Sequence, residues 1–244
     1  VQKARVFPYQ LMVAYKNAAA AIPLEVRNAL HAALEIATEN VPAIEGKVYV
    51  CPDVSGSMHS ALTGSNGSTP STVRCIDVAA LVTAAIVRKN RDAEILPFDT
   101  KVVDVFIDPN DEVLWNAEVL AAINGGGTTV SAPLAKLNKR KAIGDLVILV
   151  SDNESWADPQ SGRGTELMRE WNAFVQRNPN ARLVCIDIQP NATTQAQERT
   201  DVLNVGGFSD AVFPLIADFA TGRLTAGHWV EAIERISLAD EAVA

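Results

Sequence analysis

The stretch Val48-Tyr49-Val50-Cys51-Pro52-Asp53-Val54-Ser55-Gly56-Ser57-Met58 decides how the rest of the chain is interpreted. Its first part is a short apolar run, which is typical of a buried strand. A carboxylate, Asp53, ends this run, and the hydroxyls of Ser55 and Ser57 follow at alternate positions. If the run is a strand, these side chains leave its carboxyl end together. Oxygen ligands in one small volume suit a hard cation, with Mg²⁺ the first candidate.

The composition indicates a globular protein with a sizeable core. The chain has 244 residues, of which 48% are hydrophobic and 20% are charged. Its formal net charge of -8 opposes broad binding of nucleic-acid backbones, which depends on Lys and Arg. Cys51, Cys75 and Cys185 lie far apart in apolar stretches, as buried thiols in a reducing compartment do. With no signal-peptide pattern and no apolar run near the roughly 20 residues of a membrane helix, we expect a cytoplasmic protein.

The chain divides near residue 45 into a helical segment and an α/β domain. Residues 1–45 carry two amphipathic helical patterns, the second from Pro23 to Thr38. From Lys47 onward, strand and helix patterns alternate, which predicts a doubly wound, mostly parallel sheet with helices on both faces. We therefore predict two domains, 1–45 and 46–244. Because the sequence begins at Val1 rather than Met, we expect it to be a piece of a longer protein.

The predicted elements of the second domain are as follows. The strands are Lys47 to Cys51, Ala93 to Pro97, Val102 to Ile107, Leu146 to Ser151, Arg182 to Ile188 and Asp201 to Val205. The helices are Arg74 to Lys89, Glu112 to Ile123, Ala132 to Lys141, Thr165 to Arg177, Asp210 to Ala220 and Thr225 to Ser237. Only Phe98-Asp99-Thr100-Lys101 separates the second strand from the third, which is too short for a parallel crossover. We therefore expect an antiparallel hairpin at one edge of the sheet.

Two distant stretches can join Asp53 at the carboxyl edge of this sheet. Ligands of open parallel sheets collect where the strand order reverses. If the strands 47–51 and 146–151 flank that point, Asp152 lies opposite Asp53. Asn124-Gly125-Gly126-Gly127-Thr128-Thr129 supplies three glycines, which allow close backbone approach, and then two hydroxyls. The combined set of carboxylates and hydroxyls would satisfy a divalent cation with a few retained waters, and one position would remain for a partner's oxygen.

These residues resemble the metal-ion-dependent adhesion site of von Willebrand factor A domains. The motif is Asp53-x-Ser55-x-Ser57, then Gly127-Thr128, then Asp152, and the resemblance covers about residues 46 to 222. Within that family, Val6-Phe7-Pro8-Tyr9-Gln10-Leu11 and Ser151-Asp152-Asn153-Glu154-Ser155 look most like bacterial orthologues of the Ro-type RNA-chaperone proteins. In those proteins the A domain closes a ring of helical repeats, the TROVE module. The resemblance implies that residues 1–45 are the end of that module.

The resemblance also implies a set of site residues and partners. Carried over to this sequence, it makes Asp53, Ser55, Ser57, Thr128 and Asp152 the shell of an Mg²⁺, Mn²⁺ or Ca²⁺ ion, completed by an acidic group of a protein partner. Small non-coding RNA would bind through the parent protein rather than strongly through this chain. Many members have Gly after the final Asp, where this chain has Asn153 and Glu154. Glu154 could fill the partner's position or merely be solvated.

Simpler and different explanations of the same residues remain open. Ser55-Gly56-Ser57 alone could be a strand-to-helix turn, and Asp152 alone a helix cap. A metal-dependent phosphotransferase or hydrolase could use Asp53 or Ser55 as nucleophile. A phosphotransferase of the D-x-D type needs a second carboxylate where this chain has Ser55, and no G-x-S-x-G or phosphate-binding loop motif is present. We therefore expect a non-enzymatic, cation-dependent binding domain.

Overall fold

The structure, a computed structural model, describes residues 8–18, 23–62, 72–152, 166–190 and 194–224. The predicted helix Thr225 to Ser237 and the residues Asn153-Glu154-Ser155 lie outside these ranges. Within them, five strands form one sheet in the order β2-β1-β3-β4-β5, and every neighbouring pair is parallel. The strands are β1 (Val48–Pro52), β2 (Glu94–Ile95), β3 (Leu146–Ser151), β4 (Arg182–Asp187) and β5 (Val202–Gly206).

Helices cover both faces of the sheet. They are α1 (Pro8–Ala18), α2 (Leu24–Thr38), α3 (Cys75–Lys89), α4 (Val113–Ala121), α5 (Ala132–Lys139), α6 (Glu166–Arg177) and α7 (Val212–Ala220). Alternate strand residues point to opposite sides, so β3 contributes Ile148 to one core and Leu149 to the other. The first core also contains side chains of α1–α4 and α7, and the second contains those of α5 and α6. The doubly wound α/β fold predicted from the sequence is confirmed.

Helix α3 is the buried helix that packs on the central strands of the sheet. Its residues from Cys75 to Val87 are all buried, and it contacts β1, β2 and β3 as well as α4. A helix that is apolar all round must be surrounded by protein, which agrees with its nearly unbroken apolar sequence. Because α3 follows β1 in the chain, its buried position also anchors the end of the segment that carries Ser55 and Ser57.

The antiparallel edge strand expected at Val102 to Ile107 is not formed. These residues are not in a strand, and a single antiparallel bridge joins Phe98 to Val102. The backbone N–H of Val103 donates to the oxygen of Pro97 (2.7 Å), but proline has no N–H to return the bond. The ladder therefore stops after one bridge, and β2 is the edge of the sheet in the described part of the chain.

The two N-terminal helices pack against the α/β domain. Met12 of α1 and Leu34 of α2 are buried in the first core. Lys16 forms an ion pair with Asp77 near the start of α3 (3.2 Å), and the N–H of Tyr9 donates to Asp210 (3.0 Å). The division at residue 45 remains a prediction. Among the described helices, none combines the length and apolar character needed to cross a bilayer.

Candidate metal centre

The site lies where the strand order reverses. The chain leaves β1 toward β2 on one side, then returns to β3 on the other side of β1. Loops that follow β1 and β3 therefore run in opposite directions and open a crevice between them. This is the position that the sequence predicts for the convergence of Asp53 and Asp152.

Asp53 is fully buried at the end of β1, and both carboxylate oxygens have donors. Oδ1 accepts a hydrogen bond from the Ser55 N–H (2.8 Å), and Oδ2 accepts one from the Ser151 hydroxyl (2.7 Å). Burial raises the pKa of Asp53 to about 6; these hydrogen bonds lower it, and the charge of Asp152 raises it further. No basic side chain is among these main influences on its pKa. A cation would relieve the unfavourable burial of this charge.

The two serine hydroxyls lie next to each other. After β1 the chain turns through a short 3₁₀ helix, Gly56–His59, which places Ser55 Oγ 3.2 Å from Ser57 Oγ. Ser55 is buried and Ser57 is half-buried, so the pair faces partly outward. Neighbouring oxygens around an octahedral Mg²⁺ ion are separated by about 3 Å. The spacing of the two hydroxyls is therefore compatible with adjacent ligand positions on one ion.

The glycine-rich loop is hydrogen-bonded directly to the Asp53–Ser55 segment. Gly125 N–H donates to the Val54 oxygen (3.0 Å), and Gly56 N–H donates to the Gly126 oxygen (2.9 Å). A Cβ on Gly125 would lie 2.3 Å from the Val54 oxygen, so only glycine allows this approach. Thr128, two residues after Gly126, is buried with 1% of its surface exposed. The structure thus brings the loop of Thr128 against the turn of Ser55, as the sequence predicts.

Asp152 directly follows β3 and is buried, with 6% of its surface exposed. Its negative charge contributes to raising the pKa values of Asp53, Asp187 and Cys75, although burial is the larger cause in each case. Asp152 therefore lies among the ends of β1 and β4 and the start of α3. All five predicted site residues lie at one edge of the sheet.

The donor set fits a hard divalent cation held mainly by hydroxyls and carboxylates. Within the described ranges, no group of three or more His, Cys, Asp or Glu side chains is arranged to hold a metal ion. A site built on two carboxylates therefore needs other oxygens. Ser55, Ser57 and Thr128 supply buried or half-buried hydroxyls at this position, beside the buried Ser151 hydroxyl that donates to Asp53. Hydroxyl and carboxylate oxygens suit Mg²⁺, Mn²⁺ or Ca²⁺ better than softer metals.

His59, the histidine next to the site, has a structural role. Its Nε2 lies 3.0 Å from the Ile123 oxygen, and its Nδ1 lies 3.0 Å from Nη1 of Arg74. Arg74 can only donate, so both contacts are satisfied when the proton is on Nε2. Arg74 also binds Asp77, which links His59 to the start of α3. The ring thus connects the 3₁₀ turn to the chain just before the glycine loop.

Two residues near the site were missed in the sequence. Asp99 follows the end of β2 and accepts a hydrogen bond from Gly126 N–H through Oδ2 (3.2 Å). Asp187 ends β4, is buried beside Gln195, and has a pKa that burial raises to about 6. The signal for Asp187 was present, because an apolar strand ending in Asp is the pattern that identified Asp53 and Asp152. Asp99 also follows an apolar run, Ile95-Leu96-Pro97-Phe98, but it was assigned to a four-residue turn, in which an Asp is ordinary.

The fold and this arrangement agree with comparisons to known proteins. The family model of the Ro60 von Willebrand factor A (vWA) domain matches residues 47–220, and the chain belongs to that family. A solved structure similar to this chain is the crystal structure of the Deinococcus radiodurans RO (RSR) protein. The two share 22% sequence identity with a TM-score of 0.73.

The extent of the structural match also matters. It covers 91% of this chain but 45% of the Deinococcus chain, so this chain spans less than half the length of that relative. The structural match includes more of this chain than residues 47–220, which the family model matches. The similarity therefore extends beyond the vWA domain itself, and at this sequence identity it shows the fold.

Proposed function

We propose that this chain is the non-catalytic, divalent-cation-dependent binding part of a Ro-type ribonucleoprotein. The observation that carries the proposal is the convergence of Asp53, the Ser55–Ser57 hydroxyl pair, Thr128 and Asp152 at the reversal point of a Ro60 vWA domain. Mg²⁺ is the expected ion, with Mn²⁺ or Ca²⁺ as substitutes. An acidic side chain of a protein partner would complete its coordination.

A nucleophilic role for Asp53 or Ser55 is less well supported by the geometry. None of the surface of Asp53 is exposed, so its carboxylate has no room beside it for the reacting group of a substrate, which is much larger than an ion. Ser55 Oγ contacts Ser57 Oγ, and His59 is engaged by Ile123 and Arg74 rather than by a serine. An activated serine needs a base within hydrogen-bond reach.

Metal binding is tested by thermal unfolding and by calorimetric titration with Mg²⁺ and Mn²⁺. An ion that binds only the folded state stabilises it by RT ln(1 + [ion]/Kd), so the melting temperature rises with the logarithm of the ion concentration above Kd. We expect this increment in the wild-type chain and its loss in Thr128→Val, which removes a hydroxyl at nearly constant volume. Thr129→Val is the matched control and should keep the increment. An equal increment in wild type and Thr128→Val would contradict the assignment of Thr128.

The partner hypothesis has its own experiment. We expect an acidic peptide to bind the Mg²⁺-loaded chain and to dissociate when the ion is removed with a chelator. Binding that is unchanged by the chelator or by Thr128→Val would contradict a shared coordination site. Phosphate-ester and acyl-ester substrates should show no turnover in the same samples. Turnover that disappears in Ser55→Ala would instead support the enzymatic alternative.

The RNA contribution of this chain is expected to be small. Its net charge of -8 gives little electrostatic attraction for phosphates. We propose that the parent protein contacts small non-coding RNA mainly outside this chain. Filter binding at two salt concentrations tests this, and tight binding with a steep salt dependence would contradict it.

A further inference from the structure

Asp99 holds the glycine-rich loop from the side opposite Ser55. Its Oδ2 accepts a hydrogen bond from Gly126 N–H (3.2 Å), and its main-chain oxygen accepts one from Thr129 N–H (2.8 Å). Thr128 lies between these two attachment points in the chain. A single residue therefore fixes the backbone on both sides of the proposed ligand.

The position of Asp99 is itself firmly determined. Phe98, immediately before it, is fully buried and continues the ladder beyond β2, donating to Pro52 (3.0 Å) and accepting from Val54 (2.8 Å). Asp99 Oδ1 accepts from Lys101 N–H (3.0 Å), which fixes the side chain against its own turn. The carboxylate thus connects the end of β2 to the loop that packs on the end of β1.

The contacts of Asp99 favour its charged form. Burial alone would raise the pKa of Asp99, but hydrogen bonds from the N–H groups of Lys101 and Gly126 outweigh burial and hold this pKa below its ordinary value. Hydrogen bonds from N–H groups to a carboxylate are stronger than those to a neutral acceptor. The loop is therefore attached by a strong acceptor at physiological pH.

We propose that Asp99 is a positioning residue of the metal centre. It holds Thr128 where the Thr128 hydroxyl can bind the ion, and Asp99 does not contact the ion. This inference rests on the proposed function and adds the loop after β2 to the three stretches that the sequence identified. Residues that orient metal ligands typically change metal affinity by about 10- to 100-fold when they are replaced. Asp99 has the contacts expected of such a residue.

The test measures Mn²⁺ affinity by calorimetry in the full chain, together with the melting temperature of the metal-free protein. Asp99→Ala removes all three side-chain hydrogen bonds, those from Gly126, Lys101 and Thr100, and we expect the Mn²⁺ affinity to fall about 10-fold. Asp99→Asn keeps one acceptor oxygen, and we expect a smaller loss. The metal-free melting temperature should change little in either variant, because Asp99 lies outside the core. A general structural role would lower the melting temperature instead.

The control for charge is Asp104→Ala. Asp104 has a 98% exposed side chain and an ion pair with Lys136, so its removal deletes one nearby negative charge without touching the loop. We expect wild-type Mn²⁺ affinity in this variant. Equal losses in Asp99→Ala, Asp99→Asn and Asp104→Ala would show that charge alone matters and would overturn the positioning role.

The outcomes separate this inference from the proposed function. If wild type binds Mn²⁺ and Thr128→Val does not, while Asp99→Ala binds like wild type, the positioning role is wrong and the metal site stands. If wild type binds no Mn²⁺, the metal site fails and the inference fails with it. A loss confined to the Thr128 and Asp99 variants supports both.

Discussion

Replacing Asp53 by Asn should stabilise the metal-free protein at pH 8 while abolishing its response to Mg²⁺. The carboxylate is fully buried, and burial raises its pKa from 3.8 to about 6. A tenfold change in an acid dissociation constant corresponds to about 1.4 kcal/mol, so keeping Asp53 ionised in the folded state costs about 3 kcal/mol at pH 8. The sign follows from the raised pKa. The protonated carboxyl contributes its full stabilisation below pH 3.8, and this contribution is lost as the pH rises through about 6.

The amide introduced by Asp53→Asn cannot reproduce both hydrogen bonds of the carboxylate unchanged. This reduces the gain in the free energy of unfolding. Its oxygen can still accept from Ser55 N–H, and its NH₂ can donate to the Ser151 hydroxyl in place of accepting from it. We assign a loss of about 1 to 1.5 kcal/mol to the weaker, neutral hydrogen bonds. The net stabilisation at pH 8 is then about 1.5 to 2 kcal/mol, or a rise in melting temperature of about 3 to 8 °C for a chain of this size.

Thermal unfolding at pH 4.5 and pH 8, with chelator or with Mg²⁺, measures the effect. At pH 4.5 the folded wild-type carboxyl is largely protonated and its burial costs only about 1 kcal/mol, which the weaker hydrogen bonds of the amide offset, so the gain of Asp53→Asn should disappear. With Mg²⁺ at pH 8 the difference in melting temperature between Asp53→Asn and wild type should shrink or change sign, because only the wild type is stabilised by the ion. Asp104→Asn is the control for removal of an exposed charge and should follow wild type throughout. A metal-free variant less stable than wild type at pH 8, or a gain that persists at pH 4.5, would refute the reasoning.

Two further predictions concern residues around the site. Gly125→Ala should destabilise the protein by about 1 to 3 kcal/mol and weaken ion binding, because its Cβ would lie 2.3 Å from the Val54 oxygen. Gly127→Ala, whose Cβ would meet only Thr100 Cγ2 at 3.6 Å, should unfold at the wild-type urea concentration; equal effects in both variants would contradict the close-approach argument. Asp187→Asn should gain stability relative to wild type as the pH rises from about 4 to 7, by at most about 3 kcal/mol, because burial raises the pKa of Asp187 to about 6 and ionisation disfavours the fold. A flat difference in chemical unfolding across this range would argue against it.

The sequence predicted the sheet and its helices because each strand of the central sheet is a short apolar run between turn signals. β3, from Leu146 to Ser151, was predicted to the residue, since a strand buried on both faces has no polar interruptions. The run Val102 to Ile107 carries the same signal and forms no strand. The deciding factor was Pro97, whose missing N–H matters only once the turn has brought it opposite Val103.

The candidate site was also only partly predictable from local sequence patterns. Asp53, Ser55 and Ser57 lie within five residues, and Thr128 and Asp152 each follow a recognisable local pattern. Asp99 also follows an apolar run, but no local pattern shows its hydrogen bond to Gly126, 27 residues further along the chain, from which its importance comes. A side chain that acts through a distant backbone N–H leaves no periodicity or spacing to recognise. Its role depends on tertiary structure.

The engagement of His59 has a consequence for competition among metals in the cell. Zinc and copper outcompete magnesium wherever nitrogen or sulfur can reach them. Both ring nitrogens of His59 already take part in hydrogen bonds; the Cys75 sulfur accepts one from Gln189, and burial raises the pKa of this thiol to about 11. These contacts make the nitrogen and sulfur donors beside the candidate centre poor ligands for zinc or copper. An abundant, weakly binding ion can then occupy a hydroxyl-lined site without being displaced by a scarce, tightly binding one.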